Sequence, residues 1–123
     1  MDILNIELEE KTDFTLRLTF RDDTTNLPVD ITGYTAILEI RPQFGDYILL
    51  SSLDTTDDHI ELGGQSGTID IIFSAAQTDL SAQTYGWTRG AYDLVLIDTA
   101  GSRKKLLKGF VTIARSATLD SPA

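Results

Sequence analysis

Phe14, Leu16, Leu18 and Phe20 alternate with Thr15, Arg17, Thr19 and Arg21. A period of two puts the first set on one face of a half-buried β-strand and the second in solvent. The same alternation returns at Ala36, Leu38 and Ile40 against Ile37, Glu39 and Arg41, and Pro42 stops it because proline cannot donate to a ladder. It recurs at Ile69, Ile71 and Phe73 against Thr68, Asp70, Ile72 and Ser74. Gly90 to Ile97 sets Tyr92, Leu94 and Leu96 against Asp93, Val95 and Ile97 and reads as a central strand. Its return strand, Arg103 to Ala114, puts Leu107, Val111 and Ile113 on one face with Leu106, Phe110 and Thr112 opposite. Tyr47 to Leu53 reads as a further apolar strand, and Ile60 to Leu62 as a short one. Ile3 to Leu8 suits an edge strand or docking arm whose Glu7, Glu9 and Glu10 discourage stray pairing.

Turn chemistry separates these runs. Asp22 to Pro28, Gln43 to Asp46, Asp54 to Asp58 and Gly63 to Gly67 are polar or glycine-rich, and Asp98 to Ser102 is a glycine-containing hairpin loop. Ser74-Ala75-Ala76-Gln77 has the Ser-x-x-Gln pattern of a capping box and predicts one helical turn from about Ala75 to Leu80. Short strands at intervals of roughly eight to twelve residues predict an all-β, immunoglobulin-like Greek-key β-sandwich. A small barrel or jelly roll would use the same strands with a different closure. Gly90-x-Tyr92-x-Leu94 has the spacing of a structural tyrosine corner, in which the Tyr92 hydroxyl bonds to upstream backbone and Leu94 takes a core position.

The chain of 123 residues fits one domain, placed at residues 1–115, with 116–123 as a small, polar tail. Its 41% apolar and 24% charged residues match globular usage, and no apolar run reaches the length of a bilayer span. There is no cysteine, so packing alone must hold the sandwich. The amino terminus has neither a basic region nor a small-residue cleavage site, and cytoplasmic synthesis is expected. A net charge of −9 repels phosphate and argues against nucleic-acid or anionic-membrane partners. Residues 1–61 carry fourteen acidic and four basic side chains, residues 62–123 five and six. That asymmetry is either an accident of solvated faces or the mark of unlike patches that meet head to tail.

If the strands of Ala36, Leu94 and Val111 share a sheet, its outward face carries Ile37, Val95, Ile97, Leu106 and Phe110. Such a face is either covered by the Tyr47 to Leu53 strand and its loop or forms a subunit interface.

Catalytic chemistry finds no foothold. His59 is the single histidine, too few for a two-histidine zinc site, and no nucleophile motif accompanies it. Asp22-Asp23 and Asp54 with Asp57-Asp58 offer oxygen atoms but lack the spacing of a calcium loop. Gly63 to Thr68 lacks the lysine of a phosphate loop and precedes a strand. No cofactor, metal or catalytic residue is therefore assigned. Arg103, Lys104, Lys105 and Lys108 form the one basic cluster, as edge-guarding charges or a patch for an acidic partner. Tyr85 and Trp87 either stack on a ligand or plug the end of the core.

Five stretches carry a resemblance: Asp30-Ile31-Thr32-Gly33-Tyr34-Thr35-Ala36 with Ile40-Arg41-Pro42; Ile60-Glu61-Leu62-Gly63-Gly64; Gly67-Thr68-Ile69; Gly90-Ala91-Tyr92-Asp93-Leu94; and Leu106 to Ile113. In this order they resemble the small immunoglobulin-like virion structural proteins of tailed bacteriophages, and are similar to the immunoglobulin-like amino-terminal domain of baseplate upper proteins. The resemblance covers about residues 3 to 113. It implies a non-enzymatic component of the particle, on capsid, neck, tail or baseplate, that attaches, decorates or staples neighbouring virion proteins in multiple copies or as a homo-oligomer. It implies location in the virion, with assembly in the bacterial host cytoplasm. The rival is a receptor- or glycan-binding module using the end loops around Trp87.

Overall fold

A computed structural model of the chain describes residues 2–79 and 87–115. Among the described residues nine strands form two sheets: β1 (Asp2–Ile3), β2 (Ile6–Glu9), β3 (Phe14–Thr19), β4 (Thr35–Arg41), β5 (Ser51–Asp54), β6 (Ile60–Leu62), β7 (Thr68–Phe73), β8 (Arg89–Ile97) and β9 (Arg103–Ala114). The larger sheet runs β1-β9-β8-β4-β5, with β2 also on β9, and the smaller runs β3-β7-β6. The chain changes sheet between β2 and β3, β3 and β4, β5 and β6, and β7 and β8, the crossing pattern of a Greek-key sandwich.

Alternation decides which side chains go inside. Ala36, Leu38 and Ile40 of β4, Tyr92, Leu94 and Leu96 of β8 and Leu107, Val111 and Ile113 of β9 face Ile69, Ile71 and Phe73 of β7 in one core. β8 runs antiparallel to both β4 and β9, so the predicted central strand lies between the two predicted neighbours. The β8–β9 loop closes through Asp98, whose carboxylate accepts the Ala100 and Ser102 amides, with Gly101 at φ 87°. Helix α1 (Ala75–Thr78) has both halves of the expected capping box, although Leu80 lies outside the described residues. No helix among the described residues is long and apolar enough to cross a membrane.

Three local expectations are corrected. The strand expected at Tyr47 to Leu53 is only Ser51–Asp54, and Tyr47 to Leu50 is loop. Glu10, expected at the surface, is buried at 3% exposure. Of the two roles considered for Ile3 to Leu8, the structure has the edge strand, in two pieces running parallel to β9 with Ile6 opposite Val111 and Leu8 opposite Ile113. Its interior residues, Ile6 and Leu8, join the core, so it is an integral part of the sandwich.

The third correction is Leu106. The β8–β9 register slips between Leu94 and Val95: Leu94 lies opposite Leu107, but Val95 lies opposite Lys105. A bulge of this kind gives one strand an extra residue and re-aims a side chain. Leu106 is that residue, and it packs against the core instead of facing outward.

Candidate functional site

The outward face of the larger sheet can be read from its register. Ile37 and Val95 are paired across β4 and β8, with Asp54 on one flank and Lys105 on the other. Thr35, Ile97 and Arg103 form the next row, and Glu39, Asp93 and Lys108 the row on the other side. Acidic groups thus lie toward β5, β4 and β8, and basic ones along β9.

Four of the five predicted face residues are outward, but they are not a bare apolar patch. Val95 is 6% exposed, and Ile37, Ile97 and Phe110 are half-buried. The Lys105 ammonium lies 3.4 Å from the Asp93 carboxylate. At the Phe110 end, the loop between β4 and β5 arches over the sheet. Phe44 meets Phe110 edge to face at 5.7 Å, and the Arg89 guanidinium stacks on the Phe110 ring at 4.3 Å. Arg41 holds the loop down, donating to the Tyr47 carbonyl at 3.0 Å while its other nitrogen reaches Glu39 at 3.3 Å. A cavity of about 340 Å³ remains beneath the arch, lined by Glu39, Asp46 and Asp93 among others.

The loop buries its root and offers its crest. Phe44 is 51% exposed, Tyr47 98%, Ile48 44% and Leu49 40%. The sequence reading missed these residues as a surface because a run of β-formers looks like a strand, and it becomes one only if an edge is there to pair with it. Their local signal was the turn Gln43-Phe44-Gly45-Asp46 just ahead, with Gly45 at φ 82°.

The other candidate residues fall into structural roles. Trp87 is 8% exposed and belongs to the core cluster, where its ring is part of the packing. Tyr85 lies outside the described residues, as does the tail at 116–123. Asp22 accepts the amides of Thr24 and Thr25, and Asp54 those of Thr56 and Asp57. Asp57 in turn accepts the amides of Asp54 and His59. These carboxylates fasten turns, and among the described residues no three metal-binding side chains gather into a site. The Nδ1 of His59 lies 3.1 Å from the Ile72 carbonyl, at the edge of the smaller sheet. Of the basic cluster, Lys104 lies over the Phe20 ring at 5.2 Å and Lys108 over Phe44 at 6.0 Å.

The Tyr92 hydroxyl donates to backbone upstream, but to the Leu4 carbonyl at 2.6 Å, 88 positions away, and not to the corner just before its own strand. This tyrosine ties the amino-terminal strands to the central sheet. Burial pushes its phenol up to about 12.

Two facing sheets, a buried tyrosine on the central strand and a first strand running parallel to the last define an immunoglobulin-like β-sandwich. Comparison with solved structures agrees. The extracellular domain of the voltage-gated sodium channel β4 subunit, described as a parallel homodimer with a role in cell–cell adhesion, superposes with a TM-score of 0.52 at 13% identity over 94% of both chains. A second structure, from photo-crosslinking work on multimeric cell-adhesive interactions of sodium channel β subunits, gives 0.50 at 13% identity over 91% of this chain and 92% of that one. At such identity the likeness is one of fold. No family model matches the sequence, and no curated protein matches it.

Proposed function

We propose that this protein is a non-catalytic docking module, a structural component of a tailed-phage particle that holds neighbouring virion proteins by surface complementarity. The observation that carries the docking role is the loop crest of Phe44, Tyr47, Ile48 and Leu49, four large apolar side chains held in solvent by a loop fastened to a rigid sheet. Exposed apolar clusters of this sort mark contact surfaces, and an exposed aromatic at the centre of one is the residue type that dominates binding energy. The sequence resemblance supports the phage assignment. Membership of the immunoglobulin-like class is compatible with it, since sandwiches of this class commonly act through protein contacts.

The test is a photo-reactive residue at position 47 in particles purified from an infected bacterial host that produces this chain. Crosslinks from the loop to a virion structural protein are the expected result. A chain that does not co-purify with particles, or that crosslinks to a host protein, would overturn the phage assignment.

A further inference from the structure

The amino-terminal strands are attached to the rest of the sandwich by one ladder and one turn. Among the described residues β1 and β2 pair with β9 and with no other strand. Glu10 continues that ladder, its amide donating to the Ala114 carbonyl at 2.9 Å, so residues 2–10 form one arm. Thr12 already belongs to the body: its amide donates to the Thr78 hydroxyl at 3.1 Å, and its carbonyl lies 3.1 Å from the same hydroxyl. The hinge between arm and body is therefore Lys11. Across it the Thr12 amide and hydroxyl donate to the Glu9 carbonyl and close the turn.

Lys11 makes this turn at φ 60°. The left-handed conformation crowds a Cβ against backbone, and outside glycine it suits asparagine and aspartate, whose short polar side chains bond locally. Asn26 and Asp58, the other non-glycine residues with positive φ among those described, are of that kind. Lys11 is not. The fold keeps a strained residue at the point about which the arm would swing.

We infer that β1 and β2 exchange between two copies of this chain: Lys11 straightens, and the arm of each copy lies on β9 of the other. What covers the β9 edge in the structure fixes the occupant. Ile6 and Leu8 are each 3% exposed within the core, the Leu4 carbonyl takes the Tyr92 hydroxyl at 2.6 Å, and Asn5 Oδ1 accepts the Phe110 amide at 3.1 Å. An edge shaped to these residues in this register receives the same segment from a second copy with each of these contacts kept. Exchange thus preserves the interface and relieves two strained hinges per dimer, the condition under which swapping an identical element is a low-cost route to dimers. Opposing it is the freedom lost when two chains join, a cost that concentration offsets. The inference is independent of the loop crest and of its partner.

The chain has no cysteine, which makes the exchange visible. Glu7 lies opposite Thr112 across β2 and β9. Chains carrying Glu7→Cys are mixed with chains carrying Thr112→Cys, unfolded in urea, refolded together at about 1 mM, where even millimolar affinity populates a dimer, and oxidised. A disulfide joining position 7 of one chain to position 112 of another is expected, and none when Ser102→Cys replaces Thr112→Cys. By sedimentation equilibrium the refolded natural chain should contain a species of twice the monomer mass. Lys11→Gly takes the left-handed conformation without strain and should raise the dimer dissociation constant roughly tenfold or more, since each dimer relieves two hinges. Refolding to monomer alone, a dimer whose mixture yields no 7–112 link, equal linkage at position 102, or a Lys11→Gly chain that dimerises as tightly as the natural one would each overturn the inference.

Discussion

Tyr92 and Leu4 are 88 positions apart and joined by a 2.6 Å hydrogen bond from hydroxyl to carbonyl. The bond is possible because Gly109 lies directly opposite Tyr92 on β9. With no side chain at Gly109, the phenol crosses β9 and reaches the strand beyond. The amino-terminal segment is thereby held twice, by its parallel ladder to β9 and by this one side chain from β8.

Tyr92→Phe should cost about 0.5–1.5 kcal/mol, the net worth of a typical hydrogen bond, since Leu4 is only half-buried. Urea unfolding measures the loss, and amide exchange should quicken first in β1 and β2. An unchanged midpoint would mean that the ring's packing, and not its hydroxyl, fixes the segment.

The same residue sets an alkaline limit. Its phenol is raised to about 12 by burial, against about 10 in the unfolded chain. Between those values the folded state keeps a proton that the unfolded state releases. This contribution is whole below about pH 10 and is lost as the pH rises toward 12. Stability measured from pH 8 to 12 should therefore fall more steeply in the natural chain than in Tyr92→Phe.

Gly109→Ala should destabilise by roughly 1–3 kcal/mol, as overpacking does. A Cβ there would overlap the Leu4 carbonyl oxygen, a backbone atom that cannot swing aside. Loss of stability with faster exchange in β1 and β2 is expected, and an alanine variant with natural stability would show that the two chains can separate at no cost.

Thr78 is fully buried; its hydroxyl accepts the Thr12 amide at 3.1 Å and lies 3.1 Å from the carbonyls of both Thr12 and Ala75. It locks α1 to the turn between β2 and β3. Thr78→Val keeps the shape and removes the bonds, so a loss of about 1–3 kcal/mol in thermal or urea unfolding is expected.

Acid should act through the turn carboxylates. Asp54 is held below the ordinary carboxylate value first by the Thr56 hydroxyl and then by the amides of Asp57 and Thr56. Asp30 is held down by the Thr32 hydroxyl and amide. A lowered folded value means that stability is present above the unfolded carboxylate range, near pH 4, and is lost as the pH falls through the folded one. Asp54→Asn, which keeps an acceptor oxygen but does not titrate, should show a shallower decline between pH 5 and 2.

The strands of Phe14, Ala36, Ile69 and Tyr92 were legible from alternation, because a strand's side chains point to opposite faces whatever it pairs with. The capping box at Ser74 and Gln77 was equally local, since both partners lie within one turn. The candidate face was legible only in part. Ile37, Val95, Ile97 and Phe110 point outward as their alternation requires, but Leu106 does not, because a bulge shifts β9 by one residue and leaves no mark in the local pattern. Of the crest, Tyr47 to Leu49 fell in the run read as strand and Phe44 in the turn ahead of it, since propensity cannot tell whether an edge is available.

By itself, then, the sequence determined which residues alternate, where turns interrupt them, and that an all-β sandwich of short strands would result. Only the tertiary structure decided that the first strands lie parallel to the last, that Tyr92 reaches Leu4, and that Trp87 joins the core. The division has one cause. A face is set by the geometry of adjacent residues, whereas a partner strand is set by the competition among all edges that the folded chain brings together.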